Sequence, residues 1–230
     1  MTYVISDLHG QLDSYRKLLE KIRFRDTDTL YLLGDMLDCG DDGIEIVLDA
    51  MSRPNVFPIL GDREFTAIKL LTRLCAQEKG TKPATPSFQR AFADWLQRGG
   101  MPTVTAFRAL EEEDRESVLE YLREECVPYE EVTVGQRKFL LVHAGIAGYE
   151  KGRSLDDYEI RDLIHGDGVF PVDLGDGTIL VTGHTPVDTI SPDAGGRILF
   201  SDTHIALDCG AADGGFAGCL CLDTLEAFYA

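Results

Sequence analysis

Acidic side chains and histidines in this sequence stand directly after short apolar runs, where predicted strands end. Five loops share this pattern. In an open α/β sheet the loops that follow the strands converge on one crevice. Carboxylates and imidazoles brought together are the usual ligands of zinc, manganese or iron. The spacing therefore predicts a metal site, whose candidate ligands are Asp7, His9, Asp35, Asp62, His143 and His184.

Each of these residues, taken alone, has a simpler interpretation. A single Asp after a strand is commonly a turn former or a helix N-cap, and a single His at a strand end is commonly structural. Five loops of the same kind in one chain are hard to explain in that way. Three of the chain's five histidines also stand in these loops, which favours the metal interpretation.

The predicted secondary structure that would position these residues differs between the two halves of the chain. Three strand-loop-helix units occupy the first 75 residues and predict a parallel sheet with crossover helices. From residue 132 onward strand follows strand with short turns, which predicts antiparallel or mixed pairing. No long linker separates the two halves, so we expect a single domain over 1–230.

The middle of the chain predicts a helical insertion at about 76–126. Residues 76–102 are rich in glycine, proline and polar side chains, and residues 106–126 have the pattern of one long acidic amphipathic helix. Phe88, Phe92 and Trp95 lie in the first part. They would form either a wall of the substrate site or the insertion's own small core.

Composition excludes several classes of protein. The 230 residues include 22 basic and 40 acidic side chains, a formal charge of −18, which argues against binding to nucleic acid or to an anionic membrane. No apolar run approaches the roughly 18 residues that span a bilayer. The first residues lack the pattern of a secretory signal, so we expect a cytoplasmic protein whose six cysteines are mostly buried thiols.

Five short motifs carry a resemblance to a known family. They are DLHG at 7–10, GDMLDCG at 34–40, GDRE at 61–64, HAG at 143–145 and GHT at 183–185. This series resembles the calcineurin-like metallophosphoesterases, and within them the serine/threonine phosphoprotein phosphatases, particularly their small bacterial and phage members. The resemblance extends from residue 6 to about residue 222. It implies an α/β (α+β) fold, a four-layer αββα sandwich with mixed sheets.

The resemblance also implies two divalent metal ions, with manganese expected and iron or zinc as alternatives. Asp7 and His9 would hold the first ion, and Asp35 would bridge both. The second ion would be held by Asp62 together with the two later histidines, His143 and His184. By this resemblance, water activated by two such ions would attack phosphorus directly, and no phosphoenzyme would be required.

Three positions depart from the family pattern. Asp62 replaces the usual Asn ligand, and Cys39 replaces an Arg that clamps phosphate. Arg63 replaces the His that pairs with an Asp, here Asp38, to protonate the leaving group. A guanidinium does not release its proton near neutral pH, so Arg63 cannot be that acid. We expect Arg63 to bind substrate phosphate instead, with Arg161 as a second clamp.

The predicted function is hydrolysis of phosphomonoesters by a dimetal phosphoesterase similar to the serine/threonine phosphatases. Its partner would be a phosphorylated protein or a small phosphoester, and the loss of the acid would favour phosphotyrosine, aryl phosphates or nucleotide anhydrides. One alternative is a catalytically weak or silent phosphate-binding relative. The other is a dinucleoside polyphosphate hydrolase, although the charge of −18 opposes a long polyanionic substrate.

Overall fold

Two five-stranded sheets form the centre of the computed structural model, which describes residues 1–166 and 168–230. The strands are β1 Thr2–Ile5, β2 Thr29–Leu32, β3 Val56–Pro58, β4 Tyr129–Val134, β5 Arg137–Val142, β6 Thr178–Thr182, β7 Leu199–Phe200, β8 His204–Ala206, β9 Gly218–Cys221 and β10 Ala227–Tyr229. The helices are α1 Leu12–Lys21, α2 Gly43–Met51, α3 Asp62–Glu78, α4 Pro86–Trp95, α5 Met101–Ala109, α6 Glu112–Glu124, α7 Ile160–Ile164 and α8 Val187–Ile190.

Both sheets are mixed. The first has the order β10-β9-β1-β2-β3, in which β1, β2 and β3 are parallel and β9 and β10 run antiparallel. The second has the order β4-β5-β6-β8-β7, with parallel pairs at its centre and antiparallel strands at both edges. The parallel sheet predicted for the first 75 residues and the mixed pairing predicted for the second half are confirmed.

Alternating side chains divide the core into layers. Val4 and Leu220, which pair across β1 and β9, pack between the sheets with Phe139 and Leu141. Their neighbours in the strands face the helices on the other side. Cys219 and Cys221 both point to that helical side, as a C-x-C spacing in a strand predicts. Side chains on the outer face of the second sheet form a third cluster beneath α7, so the molecule is a four-layer αββα sandwich.

The segment predicted as an insertion contributes to the helical layer on the first sheet. Phe107 of α5 and Leu122 of α6 are fully buried in the same cluster as side chains of α1, α2 and α3. Trp95 is also buried there, and Phe88 and Phe92 pack against that cluster while remaining partly exposed. The aromatic group is therefore part of the core, and only its exposed faces remain available to a ligand.

One helix prediction is wrong. The amphipathic pattern over 106–126 forms two helices, because Leu110 and Glu111 adopt extended backbone conformations between α5 and α6. The new helix begins with Glu112, Glu113 and Asp114. Carboxylates in a first turn interact favourably with the positive end of the helix dipole, so this acidic run favours a helix start. No described helix is both long enough and apolar enough to cross a membrane.

Buried His204 predicts a stability that depends on pH. Its ring stacks near Phe170, its Nδ1 accepts a hydrogen bond from the Val172 N–H at 3.2 Å, and its Nε2 lies 2.9 Å from the Thr182 hydroxyl. Burial lowers the pKa of His204 from 6.5 to about 4. The unfolded chain therefore binds a proton that the folded chain does not between these two values.

We expect this histidine to reduce the free energy of unfolding by about 3 kcal/mol as pH falls from 6.5 to 4. Urea unfolding at pH values across that window measures the slope. The His204→Gln variant is the control, because it retains every other titrating group. Equal slopes in the two proteins would contradict the prediction.

Candidate metal centre

The loops that follow the strands hold an unusual backbone conformation. Eight non-glycine residues of the described chain have a positive φ, and six of them stand in these loops: Asp7, His9, Asp35, Asp38, Cys39 and His184. Such residues cost roughly 1–3 kcal/mol each and persist where surrounding contacts stabilise them. The loops after β1 and β2 supply such contacts, because His9 N–H donates to the Asp35 carbonyl at 2.8 Å and Gly10 N–H to that of Met36 at 2.9 Å.

The first group of candidate ligands brings together Asp35, Asp62, His143 and His184, whose ligand atoms lie within 4.8 Å of one another. His143 Nε2 is 3.3 Å from Asp35 Oδ1 and 3.6 Å from Asp62 Oδ1. His184 Nδ1 is 3.4 Å from the same Asp62 oxygen. Four loops that are distant in the sequence therefore meet in one cluster.

The second group contains Asp7, His9 and Asp35, whose ligand atoms also lie within 4.8 Å of one another. His9 Nε2 lies 3.6 Å from Asp35 Oδ2 and 4.0 Å from Asp7 Oδ1. Asp35 belongs to both groups and directs a different oxygen toward each. This is the arrangement expected of a carboxylate that bridges two ions.

The donor atoms fit cations. His143 Nε2 and Asp62 Oδ1 are buried and have no hydrogen-bond partner in the described chain. Buried polar atoms without partners are costly and rare, and they indicate a missing ligand. Carboxylate oxygens and imidazole nitrogens at this spacing suit zinc, manganese or iron. The residues present therefore fit two divalent ions, with Asp35 between them.

The ionisation of the first group is strongly perturbed. Burial lowers the pKa of His143, but the Asp35 and Asp62 carboxylates outweigh it and raise that pKa well above its ordinary value. Burial would raise the pKa of Asp62, but its contacts with His143 and His184 bring that pKa far below its ordinary value. The carboxylates thus favour a proton on His143, and a bound cation would compete with that proton.

Neighbouring groups orient the candidate ligands. The Leu33 carbonyl lies 2.8 Å from His143 Nδ1, so the ring donates there and directs Nε2 into the cluster. Asp7 accepts hydrogen bonds from the Ser6 hydroxyl and from the His184 N–H. Sequence reasoning missed the role of Ser6, since a serine beside an aspartate carries no distinctive pattern.

Glu64 is the most consequential residue that sequence reasoning left without a role. It is completely buried, and its carboxylate accepts from four backbone N–H groups. Oε2 binds Asp35 N at 2.7 Å and Gly61 N at 3.2 Å, while Oε1 binds Met36 N at 2.9 Å and Leu37 N at 3.1 Å. One side chain therefore ties the loop after β2 to the start of α3. Its signal was its place beside Asp62 and Arg63 in the third motif.

Asp38 and Arg63 lie at the edge of the centre. Asp38 is fully buried, and its two oxygens accept from Trp95 Nε1 at 2.8 Å and Thr103 Oγ1 at 2.7 Å. Arg63 is partly exposed, and its guanidinium lies 3.7 Å from Asp35, 3.8 Å from Asp62 and 3.9 Å from Asp38. Its Nη1 also donates to the Arg98 carbonyl at 3.1 Å. Arg63 is thus fixed with one face toward solvent.

Arg161 is exposed on α7 and forms no ion pair with any carboxylate of the described chain, so its role stays a prediction.

Asp208, which follows β8, was not predicted as a site residue. It is buried, and burial together with the Asp7 charge raises its pKa to about 8.

The family is decided by a match over residues 2–212 to the model of the calcineurin-like phosphoesterases. The chain belongs to this family. The resemblance inferred from the five motifs is therefore confirmed, and so is the sandwich fold that it implied.

Comparison with curated and solved proteins gives more distant relatives. A symmetrical bis(5'-nucleosyl)-tetraphosphatase of Xylella fastidiosa is 26% identical over 176 residues, 71% of this chain and 52% of the relative. The protein of the same name from Aggregatibacter actinomycetemcomitans is 52% identical over 44 residues, 19% of this chain and 16% of the relative. The chain thus spans about half the length, or less, of these relatives.

Solved structures share the fold at low identity. A protein provisionally named a diadenosine tetraphosphatase superposes with a TM-score of 0.63 at 16% identity, covering 100% of this chain and 92% of that chain. A serine/threonine phosphatase of Saccharomyces cerevisiae superposes with a TM-score of 0.52 at 15% identity, covering 95% and 71%. Likeness at this level supports the architecture alone.

The bridging position of Asp35 predicts how the metal content responds to its removal. Elemental analysis of the purified protein after manganese loading should give about two ions per chain. Asp35→Asn should lower the content to one or none, because the substitution removes a carboxylate shared by both groups. Asp49→Asn is the control, since Asp49 lies on α2 and bonds to Tyr15 and Arg53. Two retained ions in Asp35→Asn would contradict the shared role.

The four hydrogen bonds to Glu64 predict a large effect of an isosteric change. Glu64→Gln places an NH₂ group against backbone N–H donors, and it should lower the free energy of unfolding by about 1–3 kcal/mol. Manganese affinity should fall as well, because the loop that carries Asp35 loses its anchor. Urea unfolding and manganese titration measure the two effects, with Glu45→Gln on the exposed side of α2 as the control. Wild-type values for both would exclude the anchoring role.

Proposed function

We propose that this chain is a dimetal-dependent hydrolase that cleaves phosphoanhydride bonds of dinucleoside polyphosphates. The observation that carries the proposal is Arg63, which occupies the position where the resemblance expects an acid. The names of the tetraphosphatase relatives support the same substrate class. Hydrolysis of phosphomonoesters, the function predicted from the motifs, becomes the second candidate.

The leaving group receives no proton from Arg63. Burial lowers the pKa of Arg63, but the carboxylates of Asp62, Asp35 and Asp38 outweigh it and raise that pKa above the already high value of a guanidinium. Arg63 can therefore donate hydrogen bonds and charge, but it stays protonated throughout the reaction. Asp38 lies behind it, with no exposed surface, so it does not reach the substrate directly.

This arrangement selects substrates by their leaving group. Loss of a general acid costs roughly 10²–10⁴ in rate when the leaving group is a poor one, such as the alkoxide of serine. A nucleoside diphosphate leaves as a stabilised anion and needs less protonation. Phenolates share this property, so aryl phosphates and phosphotyrosine are the phosphomonoesters that the second candidate would favour.

Each predicted ligand has a proposed place in the reaction. Asp7, His9 and Asp35 would hold one divalent ion, and Asp35 with Asp62, His143 and His184 would hold the other. Such ions, manganese by expectation, polarise a phosphoryl oxygen and lower the pKa of bound water. Glu64 and the Leu33 carbonyl hold the loops and the imidazole that would bind these ions.

Arg63 also balances the charge of the site. Asp62 adds a carboxylate where the family resemblance expects a neutral amide, which weakens attraction for phosphate. The guanidinium lies 3.8 Å from that carboxylate and remains partly open to solvent. It can bind an incoming phosphate oxygen through a charge-assisted hydrogen bond. Arg161 is proposed as a second phosphate contact, since the ring of His165, at the end of α7, lies 6.1 Å from that of His184.

Removal of the guanidinium tests its role in binding. Arg63→Ala should raise KM for diadenosine tetraphosphate about tenfold, because a charge-assisted bond to phosphate is lost. Arg16→Ala, on the exposed side of α1, is the matched control and should leave KM unchanged. Steady-state kinetics with manganese measures both. An unchanged KM in Arg63→Ala would remove Arg63 from the substrate site.

Restoring an acid tests the selection by leaving group. Arg63→His should raise the rate on phosphoserine relative to p-nitrophenyl phosphate by about tenfold or more, because only the alkoxide needs the proton. A ratio equal to that of the wild type would refute this account. If the manganese-loaded wild type hydrolyses neither dinucleoside polyphosphates nor phosphomonoesters, the silent phosphate-binding alternative replaces the enzymatic proposal.

A further inference from the structure

A groove between α3 and α4 lies outside the metal centre. It encloses about 570 Å³, within the range of small-molecule sites, and we call it the α3–α4 groove. Lys69, Arg73 and Lys82 supply its charged lining, and no acidic residue lines it. This is notable in a chain with 40 acidic and 22 basic side chains. The remaining lining residues are Leu70, Thr72, Thr85, Ser87, Phe88 and Ala91.

The positive charges of this groove are not neutralised locally. None of its three cationic side chains forms an ion pair with a carboxylate of the described residues; Arg73 donates to the Pro83 carbonyl at 2.7 Å. The neighbouring groove between α3 and α6 differs, because there Lys79 pairs with Glu112 at 2.7 Å and Arg115 with Glu78 at 3.4 Å. The α3–α4 groove therefore carries net positive charge, whereas five glutamates line the neighbouring groove.

Uncharged groups in the groove suit a phosphorylated nucleoside. The hydroxyls of Thr85 and Ser87 lie 3.1 Å apart at the start of α4, where the positive end of the helix dipole adds to the lysines and the arginine. Phe88 is partly exposed and packs against Phe92 at a ring separation of 5.4 Å. An aromatic face beside a cluster of cations can contact a base while the cations bind phosphates.

The groove and the metal centre share one helix. Arg63 stands in the first turn of α3, and Lys69 and Arg73 follow on the same helix about 9 and 15 Å further along its axis. Arg63 also contacts the Arg98 carbonyl just beyond the end of α4, so both helices extend from the centre to the groove. A ligand with a phosphoryl group at the centre would need an arm that extends along and partly around α3 to contact these cations.

We propose that the α3–α4 groove binds one nucleotide arm of the substrate, with its phosphates on Lys69, Arg73 and Lys82 and its nucleoside against Phe88. This inference rests on the proposed hydrolysis of dinucleoside polyphosphates and adds a determinant of specificity. A short phosphoester that occupies only the centre does not reach the groove. Substrates with a nucleotide arm therefore gain affinity that short substrates do not.

Charge reversal at two exposed positions tests the proposal while keeping the fold. The variant Lys69→Glu with Lys82→Glu leaves the Arg73 contact intact. Its matched control is Lys17→Glu with Lys138→Glu, which changes net charge equally at exposed positions of α1 and β5. The ratio of KM for diadenosine tetraphosphate to KM for p-nitrophenyl phosphate should rise at least fivefold in the groove variant only. The same ratio in both variants would overturn the proposal.

Binding measurements test the groove independently of catalysis, so they distinguish a wrong groove assignment from a wrong proposed function. With the manganese-loaded full chain, the calorimetric Kd for ADP should rise at least fivefold in the groove variant and stay near the wild-type value in the control. Inorganic diphosphate should bind the wild type more weakly than ADP; equal affinity would refute the nucleoside contact. If wild type hydrolyses no dinucleoside polyphosphate, these affinities still decide whether the groove binds a nucleotide.

Discussion

The close approach of three carboxylates is the constraint on which the site depends. Asp7 and Asp35 are buried and Asp62 is partly exposed, so their like charges repel where water stabilises them poorly. Protonation of His143 relieves part of this repulsion, and two divalent cations would relieve far more. The strained loops and the backbone contacts of Glu64 hold the carboxylates together against their repulsion. Cations held by these residues would therefore offset most of the cost of bringing the carboxylates together.

The sequence predicted the ligand cluster better than the groups that support it. Asp35 and His143 were recognisable because polar residues after apolar runs mark strand ends, and parallel strands bring such ends together. Glu64 was marked only as the last residue of the third motif, and its burial was not predicted because a helical glutamate is ordinarily exposed. The break at Leu110 was also missed, because an amphipathic pattern can continue through an interruption that is stabilised by tertiary packing and a new acidic helix start. The burial of Glu64 and the helix break at Leu110 both depend on contacts between distant segments, which local sequence patterns do not reveal.

Arg63 stands where the family resemblance implies a histidine. Its guanidinium lies 3.9 Å from Asp38, so on the proposed function the two side chains remain neighbours but cannot transfer a proton. Charge balance with Asp62 links the two substitutions. The family fold predicts the position of the reaction, and on the proposed function the residues at positions 62 and 63 would determine which phosphoryl compounds react there.

The hydrogen bond from Trp95 to Asp38 places the tryptophan fluorescence of the protein beside the candidate metal centre. Trp95 is the only tryptophan of the chain, and its indole N–H donates directly to the carboxylate that faces Arg63. Indole emission responds to nearby charge and to the polarity around the ring. Tryptophan emission, excited selectively over that of the eight tyrosines, therefore reports on a single place, the junction between the end of α4 and the candidate metal centre. Occupation of the centre should change this emission, so that binding can be followed without an attached label.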